Sequence, residues 1–119
     1  MKKILILEDD RDYADVEKML LEKVGYEVTV SLNPKKALEA VKNYDLLLLD
    51  MIMLSKFTGR QFLDKMKELK IKTPVIIVSG VVLSGVFSEE LAKKYPGVGF
   101  VQKTYAHTDL ITAIKNKIG

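Results

Sequence analysis

Tyr44-Asp45-Leu46-Leu47-Leu48-Leu49-Asp50 is the stretch that decides the fold. Four consecutive leucines closed abruptly by a carboxylate read as a strand buried on both faces, the central strand of a parallel sheet. A sheet of that kind binds its ligand outside the carboxyl ends of its strands. Asp50 stands at such an end. On its own it is equally well the first residue of a loop, so the other strand ends must decide.

Working outward, strand three over 45–49 is one of five similar runs. Lys3 to Leu7 is a dense apolar run and reads as strand one. Residues 10–24 follow with Tyr13, Val16, Met19, Leu20 and Val24 at helical spacing, and Gly25 ends that helix as a C′ residue. Strand two is 27–30. Asn33-Pro34 is an N-cap with proline at the first helical position, and Ala37, Leu38 and Val41 face inward from helix two.

Beyond Asp50, helix three spans 59–70 with Phe62, Leu63, Met66 and Leu69 inward. Strand four is 75–78, closed by Ser79-Gly80. Ser88 reads as the N-cap of a helix over 89–94, and strand five is 98–102. Thr108 caps helix five, whose inward residues are Leu110, Ile111, Ile114 and Ile118. Five β–α units in strict alternation give an α/β fold, a parallel sheet with helices on both faces and right-handed crossovers.

The composition narrows the function classes. The 119 residues suit one domain over 1–119, with 48% hydrophobic and 29% charged residues. No run approaches the roughly 20 apolar residues of a membrane span, and the apolar start breaks at Glu8-Asp9-Asp10. A cytoplasmic location is the simplest expectation. No cysteine is present, so disulfide and thiolate chemistry are excluded. The net charge is +3, with lysines dispersed rather than clustered among aromatics, which speaks against nucleic-acid binding by this domain.

The strand ends carry the chemistry. Strand one ends in Glu8-Asp9-Asp10, strand three in Asp50, strand four in Ser79 and strand five in Lys103. Each alone is ordinary: helix-start acids, a loop serine, a solvated lysine. Side by side they bring several carboxylates together with one hydroxyl and one ammonium. Clustered carboxylates repel, and a hard divalent cation such as Mg2+ and a lysine relieve the repulsion. A cation, a lysine and a hydroxyl around one free carboxylate oxygen are also what phosphoryl transfer requires, with Asp50 as nucleophile.

With these residues in place, the chain resembles the receiver domain of two-component response regulators, on the stretches ILILEDD, YDLLLLDMIM, PVIIVSG and GFVQK. The resemblance implies a flavodoxin-like three-layer (βα)5 sandwich with strand order 2-1-3-4-5. It implies a phosphoacceptor at Asp50, fed by a histidine kinase or a histidine phosphotransfer protein. It implies direct Mg2+ ligation by Asp9 and Asp50, with Glu8 acting through water and the carbonyl of Ile52 completing the set. Ser79 takes the place of the switch hydroxyl, Lys103 of the phosphate-pairing lysine and Phe100 of the switch aromatic on strand five. Such a domain is not an enzyme beyond its own phosphorylation and dephosphorylation, and it signals to a downstream protein through the face of helix four, strand five and helix five.

The sequence departs from the family pattern in places. Leu54 replaces the usual proline four residues after the acceptor, Lys56 and Phe57 lengthen the loop before helix three, and Thr104 follows Lys103 where proline is usual. The Lys103–Thr104 bond is therefore expected to be trans, because a cis bond without proline costs about 3–4 kcal/mol. Val81 to Phe87 is unusually apolar and is expected to contribute to a partner surface. The alternative function is a pseudo-receiver, a phosphorylation-independent interaction module. An aspartyl-phosphate phosphatase would place its nucleophile after strand one, and a flavin carrier would want Gly, Ser and Thr there rather than three acids.

Overall fold

The four leucines divide between two cores. Leu47 and Leu49 join one cluster of buried side chains, and Leu46 and Leu48 join the other. Successive side chains of a strand point to opposite faces, so an unbroken apolar run is what a strand with a core on either side requires.

The computed structural model describes residues 1–50, 59–79, 85–102 and 107–119, without the side chains of 79, 85–88 and 91. The strands are β1 Lys3–Leu7, β2 Glu27–Ser31, β3 Leu46–Asp50, β4 Val75–Ser79 and β5 Gly99–Gln102. The helices are α1 Arg11–Lys23, α2 Pro34–Ala40, α3 Gly59–Glu68, α4 Gly85–Lys94 and α5 Thr108–Ile118, with a 3₁₀ turn at Val41–Asn43 after α2. The sheet is parallel throughout, in the order β2-β1-β3-β4-β5. This is the flavodoxin-like arrangement.

One core lies under α2 and α3, where Ala37, Val41, Phe62, Leu63 and Met66 close over Leu5, Leu7 and Ile77. The other lies under α1 and α5, where Ala14, Leu21, Leu110 and Ile114 close over Ile4, Ile6 and Ile76. Each fully buried Leu or Ile contributes about 1.5–3 kcal/mol relative to exposure. The central strands therefore hold both layers.

Helix ends follow the sequence closely where a specific residue dictates them. Asp10 caps α1, its side chain accepting from the Tyr13 N–H at 3.1 Å. Asn33 caps α2, accepting from the Lys36 N–H at 3.1 Å, with Pro34 at the first position. Gly25 has φ +101, and the N–H groups of Gly25 and Tyr26 donate to the carbonyls of Glu22 and Leu21, closing α1 as a Schellman motif.

Several expectations are corrected. In α1 the buried residues are Ala14, Glu17 and Leu21, whereas Val16, Met19 and Val24 are exposed. The helix is turned so that a carboxylate, Glu17, lies within its buried arc. Leu69 is exposed as well, because α3 stops at Glu68 and the chain turns away at Lys70. The fourth helix starts at Gly85, so Ser88 lies inside it rather than capping it. Valine and phenylalanine cost only tenths of a kcal/mol in a helix, roughly 0.5 against alanine, and the helix extends back through Val86 and Phe87. At α5 the cap residue is His107, in the left-handed region at φ +56 and with no side-chain cap bond, and Thr108 is the first helical residue.

Candidate functional site

The three acids after β1 differ in their surroundings. Asp10 is consumed as the cap of α1. Glu8 is buried, at 3% exposure, and its Oε1 accepts from the Asp10 N–H at 3.1 Å. Asp9 is half-buried. The helix-start explanation therefore holds for Asp10 only.

Asp50 ends β3 and is itself buried, at 4% exposure. β1 and β3 are neighbours in register Ile4–Leu46 through Leu7–Leu49, so the residue after β1 comes up beside Asp50. Strand alternation puts Glu8 and Asp50 on the side of Ile4, Ile6, Leu46 and Leu48, which is the α1/α5 side. Glu8, Asp9 and Asp50 each bring one carboxylate oxygen within 4.8 Å of the other two. Three convergent carboxylates, two of them buried, are the donor chemistry of a hard divalent cation, and the set fits Mg2+.

Ser79 ends β4, one residue past Val78, the register partner of Asp50. Its backbone thus lies at the same end of the sheet. Phe100 lies in β5, half-buried and packed against the core on the α2/α3 side. Ile52, Lys103, the Lys103–Thr104 bond and Val81–Ser84 lie outside the described residues.

Three residues that the sequence reading did not assign to the site flank it on the α1/α5 side. Tyr13 hydrogen-bonds to Glu17 one turn along α1, and its hydroxyl is held well above the usual tyrosine range. Burial is the main cause, followed by the negative charge of Glu17, Glu8 and Asp50. Tyr13 is thus a neutral donor at the edge of the acidic cluster. The His107 ring lies 5.4 Å from the Tyr13 ring, and His107 is itself buried at 5% exposure. Its Nδ1 has no hydrogen-bond partner among the described residues, and burial pushes its pKa down. The available signal was Glu17, one turn beyond Tyr13 on the same helix face, a polar group that an apolar-stripe reading passes over.

The receiver domain profile of response regulators matches residues 4–115. The chain belongs to the response regulator receiver domain family. Among curated relatives of this receiver, the transcriptional regulatory protein CpxR of Escherichia coli is 32% identical over 118 residues, 97% of this chain and 48% of CpxR. The chain spans about a third to a half of the length of the curated relatives it matches. A CheY-like receiver domain protein of Methanospirillum hungatei superposes with a TM-score of 0.82 at 30% identity, over 99% of this chain and 94% of that one. The response regulator TrrA of Thermotoga maritima, solved in complex with Mg2+-BeF, shares the fold, with a TM-score of 0.81 at 23% identity over 98% of each chain. No helix among the described residues is long and apolar enough to cross a membrane.

Proposed function

We propose that residues 1–119 form one receiver unit that accepts a phosphoryl group on Asp50 from the phosphohistidine of a kinase or phosphotransfer protein. The supporting observation is the convergence of Glu8, Asp9 and Asp50 within 4.8 Å at the carboxyl ends of β1 and β3, in a chain of this family.

In the transfer, an Asp50 carboxylate oxygen attacks phosphorus. The P–N bond to the donor imidazole breaks, its electron pair returns to nitrogen, and an acyl phosphate forms. Asp9 and Asp50 would hold Mg2+ directly, with Glu8 through water and the carbonyl of Ile52. The bound ion supplies charge neutralisation for the phosphoryl oxygens. Lys103 pairs with the phosphoryl group, and the Ser79 hydroxyl donates to it as the switch contact. Tyr13, neutral across the physiological range, borders the cluster without adding to its negative charge.

Phe100 responds to that switch, and the face of α4, β5 and α5 carries the signal to a downstream protein. The reading places the domain in the cytoplasm and requires no contact between this domain and nucleic acid or membrane. Self-phosphorylation and its reversal are its whole chemistry.

Incubation with acetyl phosphate and Mg2+, read by intact mass, tests the assignment. The wild type gains one phosphoryl group and Asp50→Asn gains none. Equal labelling of the variant overturns Asp50 as acceptor. A wild type that takes no label from acetyl phosphate or from a phosphohistidine donor moves the reading to the pseudo-receiver, a phosphorylation-independent interaction module.

A further inference from the structure

At the opposite pole of the sheet, where β4 and β5 begin, a cleft of about 520 Å³ opens between the ends of α3, α4 and α5. Its floor is apolar: Leu63, Met66, Val75 and Tyr95 are core residues whose outer edges face it. Its rim carries five lysines, Lys67, Lys70, Lys72, Lys94 and Lys117, and no acidic residue among the described residues lines it.

Three of these lysines have a local explanation. Lys67 donates to the carbonyl of Lys94 at 3.1 Å, and Lys117 donates to the carbonyl of Gly97. Lys94 pairs with Asp64 at 3.1 Å, at the margin of the cleft, where Tyr95 also donates to Asp64. These are cations beside helix C-termini, where the dipole favours them. Lys70 and Lys72 are different. They lie past α3, are exposed, and make no ion pair among the described residues. Lys70 moreover holds φ +58. The N–H groups of Lys70 and Ile71 donate to the carbonyls of Lys67 and Met66, the same Schellman closure that α1 makes with Gly25. A lysine therefore occupies a position that the equivalent closure of α1 gives to glycine, and strain of that kind collects where a side chain is required.

The chemistry of the occupant follows from the arrangement. The lysines come from four separate segments and surround the opening instead of converging on one point. The backbone groups at the cleft are carbonyl ends of helices, which repel a compact anion such as a free phosphate. An apolar floor ringed by dispersed cations matches an extended chain with several carboxylates about one large apolar side chain. We propose that this cleft is a docking site for an acidic peptide segment of a partner protein, anchored by one large apolar residue. The site is separate from Asp50 and does not depend on its phosphorylation.

Amide chemical-shift mapping on the full chain, unphosphorylated, tests it with the probe acetyl-Glu-Glu-Ala-Phe-Glu-Glu-amide at millimolar concentrations. Saturable shifts are expected at Lys70, Ile71, Val75, Gly97 and Val98, and not at Glu8, Asp9 or Asp50. The double variant Lys70→Glu, Lys72→Glu should bind roughly tenfold more weakly, as loss and reversal of two exposed pairings implies. Lys70→Gln, Lys72→Gln should fall between the two. Replacing the four glutamates of the probe by glutamine, or its Phe by Ala, should each abolish saturation. The proposal is overturned by no saturable shift at the cleft, by equal binding of the double variant or of either control peptide, or by binding to phosphatidylserine-containing vesicles without binding to the peptide.

Discussion

The two poles of this sheet are chemical opposites. Where the strands end, buried Glu8 and Asp50 gather with Asp9 within 4.8 Å. Where β4 and β5 begin, five lysines ring an apolar cleft. A parallel β–α chain sends every helix away from the carboxyl ends of the strands, so the positive ends of the helix dipoles crowd one pole and the negative ends the other. The sequence follows this axis. Asp12 and Asp109 stand in the first turns of α1 and α5, and Lys23, Lys67, Lys94 and Lys117 in the last turns of α1, α3, α4 and α5. One topology thus prepares two sites of opposite charge. At the acidic pole the carboxylates are close and two of them are buried, so a bound cation would relieve their repulsion. At the basic pole they are exposed and dispersed, so their energetics are those of surface charge, small and sensitive to salt.

The largest test of that contrast is metal. If Mg2+ binds the folded acidic cluster, it stabilises by about 2.7 kcal/mol at a hundredfold excess over Kd, which is roughly 10 °C in a domain of this size. Asp9→Asn should lose most of the shift. Lys70→Glu, Lys72→Glu should keep all of it, because it alters only the other pole. Melting curves with and without Mg2+ decide between them, and a shift that tracks the lysine variant instead of Asp9→Asn breaks the separation of the poles.

The caps come next. Asp10 is the acid spent on structure, so Asp10→Ala should cost about 1 kcal/mol in stability, by urea melts, while leaving phosphorylation of Asp50 in place. Loss of labelling in a folded Asp10→Ala protein would mean that Asp10 belongs to the site after all.

How far these roles could be read beforehand depends on what a sequence pattern records. The leucine run, Gly25, Asn33-Pro34 and the acid at Asp50 are each dictated by local chemistry, and the fold followed from them. The orientation of α1 was not legible. Val16, Met19 and Val24 recur at helical spacing as well as Ala14 and Leu21 do, and only burial of Glu17 beside Tyr13 selects the second set. A polar group inside a core defeats any rule that scores apolarity alone. The start of α5 was misread for a similar reason. His107 adopts a left-handed conformation with no capping bond from its side chain, so nothing in its residue type announces a helix boundary.

His107 also gives the acidic pole a pH dependence of its own. Burial holds its pKa below the ordinary value near 6.5. The unfolded chain then binds a proton that the folded chain resists, so stability falls as pH drops through the unfolded value and levels off below the folded one. Melting temperatures between neutral and mildly acidic pH should decline more steeply for the wild type than for His107→Gln. Parallel slopes would show that the buried imidazole titrates normally.

The smallest effect belongs to the basic pole and has the unusual sign. α1 and α3 end in the same hydrogen-bonded closure, one with Gly25 at φ +101 and the other with Lys70 at φ +58. A side chain in the left-handed region costs about 1–2 kcal/mol, whereas a new glycine loses about 0.5–1 kcal/mol through the entropy of the unfolded chain. Lys70→Gly should therefore stabilise the fold by about 0.5–1 kcal/mol in urea melts, since Lys70 has no ion pair to lose among the described residues. The gain should persist at high salt, because it comes from the backbone and not from charge. The same variant should bind the acidic peptide more weakly. A lysine whose removal strengthens the fold and weakens docking is held there by the cleft. If Lys70→Gly destabilises instead, the ammonium contributes to the fold through the negative helix ends, and the basic pole is explained by the dipoles alone.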